Sequence, residues 1–149
     1  PTFHTSRGEY SKDGRRGRNF SAVQYKGYVL HYHKDGSIFP YANGFRMQNG
    51  IARDDSGNLW CGDNQGDWRG GSPIYCIKKG GFYGHPSSLI WDKRYVPFGM
   101  PLFYPRKLLD ELYDKPAMDL PRNMMQSPGE PMIIGSEVTL GMIKLNSRA

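Results

Sequence analysis

The stretch NGIARDDSGNLWCGDNQGDW, residues 49–68, places two short apolar runs on either side of a DDSG turn. Short apolar runs joined by a turn that contains Asp and Gly are typical of a β-hairpin. The pattern therefore predicts strands at residues 49–53 and 58–62. The second strand runs directly into a cluster of amides and carboxylates at residues 62–67, which makes this cluster a candidate functional site.

The same design occurs earlier in the chain, where YVLHYH (residues 28–33) and SIFPYA (residues 37–42) flank a KDG turn. A third apolar run, SPIYCIKK at residues 72–79, predicts a further strand that ends at paired glycines. Two similar hairpins in succession are a weak internal repeat, and such repeats are typical of propellers or solenoids. A propeller blade takes about 40–45 residues, so the chain would supply about three blades.

Composition supports short strands and divides the chain into regions. The sequence contains 19 Gly, 11 Pro, 10 Tyr, 7 Phe and 3 Trp, a composition rich in turns and aromatic rings. We predict one domain or propeller fragment over residues 1–149, with a loop at 1–19, blade strands at 20–85 and a Pro-rich insertion at 86–131. That insertion carries one short helix at 105–115, and the chain returns to strand within 132–149, with candidate strands at 130–135 and 138–145.

Charge and hydropathy restrict the classes of partner. The net charge is +6, and much of the basic excess lies in SRGEYSKDGRRGRNF, residues 6–20. A basic segment can bind nucleic acid, but a short solvated loop is the simpler interpretation, so we expect no nucleic-acid partner. Since the sequence has no run of about 18 apolar residues, we also expect no transmembrane segment.

Four strings together resemble one family of proteins: NGFRMQNG (residues 43–50), CGDNQGDW (61–68), GGFYGHP (80–86) and SPGEP (127–131). They are similar to strings of the glucose/sorbosone-dehydrogenase-like β-propellers, in the branch called membrane-bound dehydrogenases. The resemblance implies an all-β fold, here a partial six-bladed β-propeller of about three blades. It also implies a periplasmic or secreted location, and oxidation of a sugar or alcohol with pyrroloquinoline quinone (PQQ) and calcium.

The resemblance and the polar cluster after the second hairpin give a set of candidate site residues. Carboxylate and amide oxygens crowded at one rim suit a hard cation such as Ca²⁺, and a His in a Gly/Pro turn suits a general base. The predicted cofactor-binding residues are Arg46, Asn49, Asn64 and Gln65, the predicted metal ligands are Asp63 and Asp67, and the predicted catalytic residue is His85.

Four of these residues have a structural alternative. Asp63 and Asn64 can satisfy the backbone groups of a turn, Arg46 can pair with Asp63 or Asp67, and His85 can be a hydrogen-bonded turn residue. Met47 stands where the sugar dehydrogenases have Asn, which favours a second hypothesis. In that hypothesis the chain is a non-catalytic propeller module, a binding or structural subunit, whose partner is the rest of the propeller or another protein chain.

Three further features leave alternatives open. Cys61 and Cys76 each lie in a predicted strand, so a disulfide and two buried thiols are both compatible with the sequence. His31 and His33 alternate along a strand and therefore share one face, which we expect to be solvated rather than metal-binding. Trp68, beside the polar cluster, could stack on a sugar, although packing is the commoner role of such a ring.

Overall fold

The computed structural model describes residues 24–64, 71–94, 106–126, 128–134, 139–140 and 143–144. These residues are mostly β-structure, as the composition predicts, with one short α-helix and one 3-10 helix. The strands are β1 (Tyr28–Tyr32), β2 (Ile38–Asn43), β3 (Gln48–Arg53), β4 (Leu59–Asp63), β5 (Ser72–Ile77), β6 (Met118–Leu120), β7 (Thr139–Leu140) and β8 (Ile143–Lys144), and the helices are α1 (Arg106–Leu112) and the 3-10 helix Pro86–Trp91.

β1 and β2 form the first predicted hairpin, with Tyr28 opposite Asn43 and Tyr32 opposite Ile38. The KDG turn closes it as expected, because Gly36 adopts a φ of 88° that few other residues tolerate. Asp35 fixes the same turn by accepting hydrogen bonds from the Ser37 backbone N–H and hydroxyl.

The second hairpin forms the start of a four-stranded antiparallel sheet in the order β3-β4-β5-β6. Asp54 organises its DDSG turn by accepting hydrogen bonds from the Asn58 backbone N–H (2.8 Å) and the Trp60 indole N–H (2.9 Å). Four sequential antiparallel strands are the connectivity of one propeller blade. One such sheet beside one hairpin does not make a propeller, so that architecture stays a prediction.

The Pro-rich region, predicted as an insertion with one helix, also contributes a strand to the sheet. The predicted helix is present but shorter, as α1, and Leu109 of α1 is buried against Phe82 and Leu89. After α1 the chain returns as β6, which pairs with β5.

The later strand predictions are only partly confirmed. Residues 130–134 form no strand, so the strand predicted at 130–135 is wrong over its described part. Pro131 in this segment lacks the N–H that a strand ladder needs. The chain contacts the sheet just before it, where the Pro128 carbonyl accepts from the Asn49 amide at 3.1 Å. The strand predicted at 138–145 is found as two strands, β7 and β8, which pair with each other.

An aromatic cluster forms the main core. The Phe45 ring stacks on Tyr83 with centroids 4.7 Å apart, and Tyr75 meets Tyr83 edge-to-face at the same distance. The backbone of the GGFYGHP string lies beside the end of β2, where the Tyr83 N–H donates to the Asn43 carbonyl at 2.8 Å. Gly44 permits this approach, because a Cβ there would lie 2.5 Å from the Tyr83 nitrogen.

Both cysteines are free thiols, but only Cys61 is buried and Cys76 is half-buried, so the alternative of two buried thiols is confirmed in part. Cys61 lies in β4 opposite Tyr75, whereas Cys76 of β5 is opposite Trp60, so the two are not partners across the ladder. Burial raises the pKa of the Cys61 thiol to about 12, with a contribution from Asp63. Cys61 is therefore an inert core residue.

Candidate functional site

Asp63, at the end of β4, is the centre of the polar cluster that the sequence singled out. Its carboxylate is buried and accepts three backbone hydrogen bonds: from Arg46 at 2.8 Å, from Met47 at 2.7 Å and from Asn64 at 2.9 Å. These donors belong to the connection between β2 and β3 and to the residue after β4. The carboxylate therefore satisfies backbone groups, as the structural alternative predicts, but two of the three belong to a different chain segment and not to its own turn.

Two opposing effects act on the protonation of Asp63. Burial raises the pKa of the carboxyl, the three backbone N–H donors and the Arg46 guanidinium lower it, and burial prevails to leave the pKa at about 6. A carboxylate that accepts several N–H bonds is usually held ionised, so the balance between burial and hydrogen bonding decides the charge of Asp63.

The other described members of the predicted cofactor set also make contacts within the chain. Asn49 is exposed and donates its amide to the Pro128 carbonyl. Asn64 donates its backbone N–H to Asp63, and its Oδ1 is buried with no partner among the described residues. The SPGEP string lies over the same end of the sheet, since a Cβ on Gly50 would meet the Glu130 side chain.

His85 is buried in the turn that precedes the 3-10 helix. Its backbone N–H donates to the Gly44 carbonyl at 2.7 Å, and its own carbonyl accepts from the Ser88 hydroxyl at 3.0 Å. These contacts agree with the turn-residue alternative, and the role of His85 as a general base stays a prediction.

Calcium and quinone binding at the polar cluster also stay predictions. Gln65 and Asp67, like the neighbouring Trp68, lie outside the described residues. Within the part of the chain that the structure describes, no three His, Cys, Asp or Glu side chains are grouped so that they could hold a metal ion. Both carboxylate oxygens of Asp63 already accept N–H donors, which leaves that residue poorly suited to a cation.

A concave site is found elsewhere among the described residues. A pocket of about 410 Å³ opens between the base of the first hairpin and the segment after the 3-10 helix. We call it the β2 pocket. It is lined by Tyr25, Tyr28 and residues 40–43, 79–80 and 91–94.

Aromatic rings and one charged pair define the chemistry of the β2 pocket. Tyr25, Tyr28, Tyr41 and Trp91 supply the aromatic part of the lining, and Tyr25 and Tyr28 meet edge-to-face at 5.3 Å. Asp92 receives the Arg94 guanidinium, with the shortest N–O distance 2.6 Å, and also the amide of Asn43 at 2.9 Å. Burial opposes ionisation of Asp92, yet the Arg94 and Asn43 hydrogen bonds hold its pKa below the ordinary value.

Two polar atoms in the wall of the β2 pocket are unsatisfied within the described residues. Asn43 Oδ1 and Trp91 Nε1 are buried, and neither has a hydrogen-bond partner there. The Asn43 amide is oriented by its donation to Asp92, which leaves the oxygen as the unused acceptor. Because both atoms have almost no accessible surface, they lie behind the pocket surface that a ligand would contact.

No sequence motif predicted the β2 pocket. Its lining comes from residues 25–28, from β2, and from two segments some 40 to 50 positions further along the chain. Asn43 belongs to the NGFRMQNG string, but only Arg46 and Asn49 of that string were predicted to bind a cofactor. The one sequence feature that marks this pocket is WDKR, residues 91–94, in which an aromatic ring is followed by three charged residues.

Comparisons with known proteins add no family assignment: no family model, curated protein or solved structure matches the chain. The resemblance to sugar-dehydrogenase propellers therefore depends on the four strings alone. In the described part of the chain, no helix has the length and apolar character required to cross a membrane.

Proposed function

We propose that this chain is a binding module for a small polyhydroxylated molecule, a sugar or sugar derivative, which the β2 pocket holds. The observation that carries the proposal is a pocket whose aromatic lining surrounds a fixed Asn43–Asp92–Arg94 hydrogen-bonded group. A sugar ring has apolar C–H faces that pack on aromatic rings and hydroxyl groups at its edge that pair with amides and charged groups.

The dimensions and lining of the pocket agree with this ligand class. Small-molecule sites are typically about 300–1,000 Å³ and mostly apolar, with a few fixed polar groups that determine orientation. Here Tyr28 is held in place by donating its hydroxyl to the Ser88 carbonyl at 3.0 Å. Asp92 is held by Arg94, so the polar group is ordered before a ligand arrives, which lowers the entropic cost of binding.

Isothermal titration calorimetry with a panel of hexoses and disaccharides tests the proposal. Tyr41→Ala removes one ring of the lining and should weaken binding about tenfold, in line with the loss of one aromatic contact. Tyr32→Ala is the matched control, because Tyr32 is an exposed tyrosine of the same hairpin outside the lining. Saturable binding that Tyr41→Ala leaves unchanged would place the sugar elsewhere, and the absence of binding to every sugar would refute the proposal.

The module works within a larger assembly, in keeping with the second sequence hypothesis. On one face of the outer half of the first hairpin, Leu30, Tyr32 and Ile38 are each at least 43% accessible. Exposed apolar side chains grouped on a strand pair are typical of a surface that another protein surface covers. Sedimentation analysis of the purified 149-residue chain, which has a mass of 17.0 kDa, should show self-association or aggregation through this surface, and a stable monomer would contradict this part.

Sugar oxidation with PQQ and calcium, at a periplasmic or secreted location, is the more specific prediction that the resemblance implies. It is supported by the sequence strings alone. Dye-linked oxidation of sugars with added PQQ and Ca²⁺ tests it independently of the β2 pocket. Activity that survives Tyr41→Ala would separate a catalytic site from the binding site proposed here.

A further inference from the structure

The charges around the β2 pocket indicate which sugars it prefers. Four charged side chains line it: Lys79, Asp92, Lys93 and Arg94. The Asp92 carboxylate is mostly buried, with a side chain only 9% accessible, and the Arg94 guanidinium covers it through three short N–O contacts. Arg94 thus compensates the one negative charge of the lining.

Lys79 and Lys93 are not compensated in this way. Both are exposed, they approach the pocket from two different segments, and neither forms an ion pair with the described residues. The neighbouring Lys78, by contrast, lies 3.7 Å from Asp114. The lining therefore carries an excess of two positive charges, and a concave site lined by one sign of charge attracts ligands of the other sign.

We propose that the β2 pocket selects an anionic sugar, one that carries a carboxylate or a phosphate, over the neutral parent sugar. This inference rests on the proposed sugar-binding function and specifies its ligand. The aromatic lining receives the ring, and the two lysines at the pocket bind the anionic substituent. A carboxylate and a phosphate both present oxygen acceptors to an ammonium group, so the two lysines alone do not distinguish them. Binding measurements with one sugar of each kind do.

The experiment compares glucose, glucuronate and glucose 6-phosphate by calorimetry on the full chain. At low salt we expect at least one anionic sugar to bind about tenfold more tightly than glucose, with the difference shrinking as salt screens the lysines. Tighter binding of glucuronate alone assigns a carboxylate, and tighter binding of glucose 6-phosphate alone assigns a phosphate. Tighter binding of both anionic sugars indicates that the pocket recognises the negative charge that they share.

A charge-matched pair of variants locates the effect. The double variant Lys79→Gln, Lys93→Gln should bring the affinity for the anionic sugar down to that for glucose. The control Lys34→Gln, Lys115→Gln removes the same charge from exposed lysines outside the lining and should keep the preference. If glucose binds as tightly as both anionic sugars, this inference is overturned while sugar binding stands. If both double variants lose the preference equally, the role of the two pocket lysines is overturned. No binding by any of the three sugars, or by the wider panel, would refute the proposed function itself and the inference with it.

Discussion

Replacing Asp63 by Asn tests the most unusual electrostatic feature of the chain. An Asn side chain keeps one acceptor oxygen, which can still receive two of the three backbone N–H groups. Its NH₂ group would then face the third N–H, so two donors would be buried against each other. An unsatisfied buried donor costs about 1–3 kcal/mol, and we expect Asp63→Asn to lower the free energy of unfolding by at most that amount at neutral pH, because the neutral Asn also avoids the burial of a charge.

The pH dependence gives a second and sharper expectation. Burial raises the pKa of Asp63 to about 6 in the folded chain, against an ordinary value of 3.8. Between these two values the folded state binds the extra proton, so the contribution of Asp63 to stability falls as pH rises from below 4 to above 6. A difference of about 2 in pKa corresponds to about 3 kcal/mol over that window.

Urea unfolding followed by tryptophan fluorescence from pH 3.5 to 7.5 measures this difference. Subtracting the stability–pH curve of Asp63→Asn from that of the wild type removes the contributions of other carboxyls. One of these is Asp54, whose pKa is lowered mainly by the Trp60 hydrogen bond. Asp55→Asn, an exposed position in the same hairpin turn, serves as the control. If the wild type instead gains stability relative to Asp63→Asn as pH rises, the three hydrogen bonds outweigh burial, and the raised pKa is refuted.

Two further expectations concern the core and the thiols. Gly44→Ala should destabilise the chain by more than 2 kcal/mol, because its Cβ would meet the backbone of Tyr83. Gly36→Ala, at a similar φ but with the nearest atom 3.9 Å away, should cost only about 1 kcal/mol by thermal unfolding, and equal costs would contradict the argument. In native protein, a thiol reagent should modify the partly accessible Cys76 well before the buried Cys61, and two free thiols should be found after denaturation without reductant; failure to find them would contradict the free state of both cysteines.

The contrast between the polar cluster and the β2 pocket shows where sequence reasoning about sites stops. The polar residues after β4 were conspicuous in sequence, yet Asp63 is engaged by backbone donors from residues 46 and 47, which no local pattern indicates. The GGFYGHP string was conspicuous as well. In the fold its Tyr83 stacks in the core and accepts the Lys78 N–H at 2.7 Å, so its prominence reflects packing and hydrogen bonding.

The amino-acid sequence by itself determined the local elements of this protein: both hairpins, the strand at β5 and the position of α1. These depend on interactions between near neighbours, such as Asp35 with Ser37 or Asp54 with Asn58, and on glycines that accept a positive φ. Tertiary structure alone decided that β6 pairs with β5, that Asp63 binds the β2–β3 connection, and that Tyr25, Asn43 and Trp91 line one pocket. Those contacts join residues far apart in the chain, and their geometry is set by how the aromatic core packs rather than by any short pattern.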